Sequence, residues 1–216
     1  MENVDIRIKS TLLSQKPREE SLLIALLSLI VLFFVLLLCW RSPDLFRLLV
    51  ASRHYVQGEQ EYWRLLTTIA IHANLTHFFS NAILFTPLAY LLYGYFGFWV
   101  FPVAIVVLGS LTNYLSLLTY SPDIQLIGAS GVVYLMAGFW LTAYVLVERS
   151  HQLKRRVLVA IGMALIVLVP SNLSSRVSYR THAIGCGFGI IAALGYFQIR
   201  KEQIRSLEEI QIEIVD

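Results

Sequence analysis

The stretch LIGASGVVYLMAGFW, residues 126–140, decides the class of this chain. It carries no charge and is apolar enough to lie in a membrane, yet Ser130 sits near its start between Gly128 and Gly131. Run on to Val147, it reaches the length of a spanning helix, about 20 residues. The rest of the chain has the same character. Of its 216 residues 57% are hydrophobic and only 14% charged, against about 25% charged in soluble domains, and the mean hydropathy is +0.67. That composition excludes a soluble globular domain and implies an all-α, multi-pass integral membrane protein in contact with the lipid bilayer. A net charge of +3 carries no nucleic-acid footprint. Cys39 and Cys186 both fall in apolar segments, which argues against a disulfide framework.

Working outward, six spans are expected: Leu22–Trp40, Leu66–Tyr93, Phe98–Leu118, Ser130–Val147, Val157–Val169 and Thr181–Ile199. The first has an apolar core longer than a signal peptide's and no small-residue cleavage pattern, so it reads as an uncleaved anchor. The long connection from Arg41 to Glu61 mixes Arg47 and Arg53 with Leu45, Phe46, Leu48 and Leu49. It reads either as an interfacial amphipathic segment or as an ordinary solvated loop. Six spans put both termini on one side. Eleven Lys and Arg lie on that side and six on the other, Arg176 among the six, so the termini are expected in the cytoplasm. The expected organisation is a tail over 1–21, one six-helix domain over 22–199 and a tail over 200–216.

This topology allows a comparison of depths. Ser130 is 18 residues before Glu148, His182 is 18 before Arg200, and His77 is 17 before Gly94. At 1.5 Å per residue each lies roughly 26 Å above the cytoplasmic edge. Polar residues inside a membrane usually face a cavity or one another. Most serines in spans bond back to their own helix, and a lone histidine is more often a packing residue. A serine and a histidine at matched depth are a sharper signal, because a hydroxyl needs a base to become a nucleophile and an imidazole can take and return that proton. Between Glu61 and Arg200 the only carboxylates are Asp123, in an outer loop, and Glu148, at the cytoplasmic edge. A protease built on these residues therefore uses a Ser130–His182 dyad without an acid. Tyr134 follows Ser130 by four residues on the same helix face, where its ring can hold His182.

The oxyanion of an acyl-transfer intermediate needs donors. His77 and Asn81 are four apart on one face of the second span, and the amides at the start of the fourth helix are electropositive. Gly128 and Gly131 permit close approach of a substrate backbone. The preceding TYSPDIQLIGA, residues 119–129, reads as a loop dipping into the protein. In HAIGCGFG, residues 182–189, Gly185 and Gly189 form a GxxxG pattern that lets helices touch closely. No metal ligand set is read here: an HExxH pattern is absent. A haem carrier would leave GASG unexplained, and a transporter lacks a carboxylate relay in the spans.

These motifs resemble the rhomboid intramembrane serine proteases. IGASGVVY is similar to the family's GxSG nucleophile motif with its tyrosine, HANLTHFFSN (72–81) to its His-His-Asn motif, HAIGCGFG to its HxxGxxxG motif, and YWR (62–64) to the Trp-Arg pair of its long first outer loop. The resemblance covers about residues 41–199 and implies a six-helix rhomboid-like bundle of the basic prokaryotic type, set in the inner membrane if the source is prokaryotic. It implies Ser130 as nucleophile and His182 as base. It also implies oxyanion contacts from His77, Asn81 and the Ser130 amide, Tyr134 stacked on His182, and no cofactor. Its substrates are transmembrane proteins cleaved near the outer face. His72, five residues from His77, falls off that helix face and takes a structural role. A catalytically inactive rhomboid-like protein that binds membrane clients is the alternative; such proteins typically lack the serine or the histidine.

Overall fold

The computed structural model describes residues 3–168 and 178–215. Strand β1 (Asn3–Ser10) precedes helix α1 (Ser21–Arg41). The long connection then holds helix α2 (Pro43–Leu49), strand β2 (Ala51–Ser52) and helix α3 (Arg64–Thr67). Helix α4 (Leu75–Phe96) and a distorted turn, Trp99–Ala104, lead into α5 (Ile105–Leu118). After β3 (Gln125–Leu126) come α6 (Ser130–Val147), α7 (Leu153–Leu168), α8 (Tyr179–Arg205) and β4 (Glu209–Val215). The protein is an all-α membrane bundle with two small two-stranded sheets. Among the described residues five helical stretches are long and apolar enough to cross a membrane: α1, α4, Trp99–Leu118, α6 and α8. The remaining expected span is α7, 16 residues; Val169, its expected end, and Arg176 lie outside the described residues.

Helix α6 is the axis of the bundle. Val132, Val133, Leu135, Met136, Ala137 and Phe139 are all buried, and they join Phe85, Leu88, Leu92 and Phe96 of α4 in the main core. Its most extensive partner is α8. There the backbones meet directly: a Cβ added at Gly185 would lie 2.3 Å from the Gly131 carbonyl oxygen, one at Gly189 2.0 Å from that of Leu135, and one at Gly138 2.4 Å from that of Cys186. Only glycine fits such a seam, which is how small residues let membrane helices associate through van der Waals contact.

Two expectations change, and one open choice narrows. The second span does not begin at Leu66. Arg64–Ala70 form α3 and a 3₁₀ turn, the chain extends at Ile71, and α4 starts only at Leu75. Asn74 is its N-cap, its side chain accepting from the His77 amide at 2.8 Å, so one orphan donor of the helix end is satisfied. The amphipathic stretch after α1 is a short helix, α2, entered through Pro43 and capped by Ser42. The tails at 1–21 and 200–216 are not plain polar ends. Helix α8 runs past Ile199 to Arg205, and β1 pairs antiparallel with β4, Ile6 opposite Ile212 and Ile8 opposite Ile210.

Candidate active site

Ser130 is the first residue of α6, His77 the third of α4 and His182 the fourth of α8. Three helix N-termini therefore meet at one level, and they surround a cavity of about 570 Å³. Ser130, His182, His77, Asn81, Tyr134, Gly128 and Gly131 all line it. Gly185 and Gly189 do not; they form the seam behind it that holds α8 against α6. The Tyr134 and His182 rings stack, with centroids 4.0 Å apart and planes 12° from parallel. The Tyr134 hydroxyl donates to the Leu168 carbonyl at 2.8 Å, which ties the end of α7 to the same tyrosine. The described hydrogen bonds do not include one between Ser130 and His182.

Gly128 explains how the loop reaches the histidine. Its φ is +101°, a left-handed value that side chains strain to adopt. A Cβ there would lie 2.7 Å from Cε1 and 2.8 Å from Nε2 of His77, and 3.6 Å from Nδ2 of Asn81. The His77 imidazole and the Asn81 amide thus press on the backbone two residues ahead of Ser130. The Asn81 amide donates to the His77 carbonyl at 3.1 Å, which orients it. The first-turn amides of α6 lack intrahelical partners and form the positive end of the helix dipole. A carbonyl oxygen entering this cavity meets a concentration of donors.

The loop that leads into Ser130 is held by the long connection between α1 and α4. β2 pairs with β3, Ala51 opposite Leu126 and Ser52 opposite Gln125. The His54 amide donates to the Pro122 carbonyl at 3.2 Å, and the Gly128 amide to that of Thr68 at 3.1 Å. Thr68 Oγ1 donates to the Leu126 carbonyl. Arg64 in turn organises that connection. Buried, it donates to Glu61 at 2.6 Å, to the Arg47 carbonyl at 2.7 Å and to that of Val50 at 3.0 Å, with its guanidinium over the Tyr55 ring.

His72 does more than fill space. It is 2% exposed, its Nδ1 faces the Ala70 carbonyl at 3.3 Å, and its Nε2 faces the Ala129 amide at 3.4 Å. A carbonyl only accepts, so Nδ1 carries the proton and Nε2 accepts from Ala129, the residue before Ser130. Burial first, and the neighbouring His77 second, hold this imidazole down at about 4, so it stays a neutral acceptor at physiological pH. Sequence spacing missed this contact, since it treated 66–93 as one helix. It also passed over Asn113, which lines the cavity and donates to the Leu65 carbonyl at 2.9 Å, and Thr181, whose buried hydroxyl beside His182 lacks a partner among the described residues. An amide in an apolar span was the available signal for Asn113.

A membrane-embedded helical bundle whose polar cleft gathers a serine, three helix N-termini and a tyrosine-stacked histidine is the class that fold and site define. The family model of the rhomboid domain matches residues 59–199. The chain belongs to the rhomboid family. No curated protein was found to match the chain.

Proposed function

We propose that this rhomboid is an intramembrane serine endopeptidase that cleaves transmembrane protein substrates near the outer membrane face. The observation that carries the reading is the convergence of Ser130, stacked His182, His77 and Asn81 on one cavity. In the proposed reaction His182 takes the Ser130 proton as Oγ attacks the scissile carbonyl. The oxyanion is met by His77, Asn81 and the Ser130 amide, and His182 then protonates the leaving amine. Water, deprotonated by the same imidazole, releases the acyl group. Tyr134 fixes the ring by stacking, where a triad would use a carboxylate. The missing Ser130–His182 hydrogen bond is the one observation that favours an inactive, client-binding rhomboid; catalytic hydrogen bonds are often long before substrate binds.

We further propose six crossings, with both termini cytoplasmic. The β1–β4 pairing supports an even number, since paired tails share a side. Labelling with a fluorophosphonate and cleavage of a model transmembrane substrate test the proposal together. Wild type reacts in both, and Ser130→Ala and His182→Ala react in neither. Wild-type turnover by Ser130→Ala would remove the nucleophile assignment; no labelling and no cleavage by wild type would favour the client-binding reading.

A further inference from the structure

A second cavity lies away from the cleft. α7 leans on α6 and makes little contact with α8. This leaves a groove of about 410 Å³ between them, lined by Leu141 and Val145 of α6, Ile161 and Ala164 of α7, and Cys186 and Leu194 of α8 among others, all without charge. On α7 it runs from Val157 to Leu168, a rise of about 16 Å. That is one leaflet of a hydrocarbon core about 30 Å thick. Its lower mouth is basic. Lys154 precedes Val157 and Ile161 by three and seven residues, and Lys201 follows Leu194 by seven, so each continues its helix's groove-facing stripe. Arg156 donates to the Val145 carbonyl, while its buried Nε has no partner among the described residues. The nearby acids are engaged elsewhere: Glu148 accepts from Thr11 and Ser150, and Glu208 pairs with Arg149 at 2.9 Å. Glu202 is exposed.

We propose that this groove is a binding site for one anionic glycerophospholipid of the cytoplasmic leaflet. An acyl chain lies between α6, α7 and α8, and the phosphate is held by Lys154 and Lys201. The apolar length selects a lipid chain, and the charge at its mouth selects the headgroup. The test is native mass spectrometry of the purified full chain, given equal phosphatidylglycerol and phosphatidylcholine of distinguishable mass. Wild type retains one phosphatidylglycerol in preference. Lys154→Gln and Lys201→Gln each lower that preference about fivefold, and Ala164→Phe, which fills the groove, removes retention of both lipids. Equal retention of the two lipids by wild type overturns the proposal, as does a preference unchanged in the double lysine variant. In nanodiscs, alkylation of Cys186 by N-ethylmaleimide is slower with phosphatidylglycerol than with phosphatidylcholine alone; equal rates count against the site.

Discussion

Helices α7 and α8 are both packed against α6, and they do it in opposite ways. Between α6 and α8, glycines let the backbones touch, and no side chain separates Gly185 from Gly131 or Gly189 from Leu135. None of the described side chains of α7 is buried; Leu165 is 60% and Ile166 79% exposed. The reason lies in what each contact can gain. In lipid there is no hydrophobic drive to bring helices together, so close packing and hydrogen bonds must do it. The glycine seam maximises packing. Helix α7 leaves bulky branched residues exposed and is tied near its end by the Tyr134 hydroxyl to Leu168. Ser130 and His182 sit on the two helices of the seam, so the geometry most sensitive to small displacements is built on the part least able to shift.

The largest effect expected from this contrast is that of Gly189→Leu. The added Cβ alone would fall 2.0 Å from the Leu135 carbonyl oxygen, and backbone cannot yield as a flexible side chain would. Overpacking commonly costs about 1–3 kcal/mol and occasionally more. The helices must part, with loss of the proposed proteolysis and a lower unfolding midpoint in detergent. Retained activity would mean that the seam is not what holds Ser130 and His182 together. Next comes Asn81→Ala, on the α4 side of the cleft. If Asn81 is the oxyanion donor proposed above, its loss lowers turnover about 10²–10³-fold, with little change in substrate binding or stability. A fall in affinity at unchanged turnover would make Asn81 a substrate-positioning residue.

The third effect depends on pH. His72 is held at about 4 in the folded protein, below its ordinary 6.5. As pH falls through 6.5 the unfolded chain takes up this proton first. Stability is therefore lost between about 6.5 and 4, and is untouched by this group above that range. In His72→Gln, whose amide oxygen can accept from Ala129 without titrating, thermal unfolding midpoints decline less between pH 7 and 4.5 than in wild type. Identical declines would assign the acid sensitivity to other groups. The smallest effect is on the leaning helix. Leu165→Ala changes stability by no more than about 0.5 kcal/mol, as expected where little is packed. A loss of several kcal/mol in equilibrium unfolding would show that α7 is anchored as firmly as α8.

How much of this was legible in the sequence follows from the range of the signals involved. Helix α6 spans Ser130–Val147, as hydropathy and the flanking glycines predict. The matched depths of Ser130, His77 and His182 follow from the expected topology and the rise per residue, and all three line one cavity. The start of α4 was hidden because Leu65, Leu66, Ile69 and Ile71 continue the apolar run; only the Asn74 cap marks the break. The structural role given to His72 was argued by counting positions around a helix, a count that does not apply where no helix exists. The chain's turn at Ile71 brings His72 beneath Ala129, a contact 57 positions apart that no local pattern encodes. The terminal strands show the same limit. Alternation in Ile6, Ile8, Ile210 and Ile212 has the period of a strand, but nothing in either segment names the other as its partner.

That pairing makes the fold a ring. Asn3 stands opposite Val215, within about 5 Å at strand spacing, so a short covalent bridge between them would leave the helices undisturbed. The chain could then be opened in the turn between α6 and α7 and still trace the same structure. The order in which these helices are synthesised is thus separable from the architecture they build, and a circular permutant is a means of changing one while holding the other.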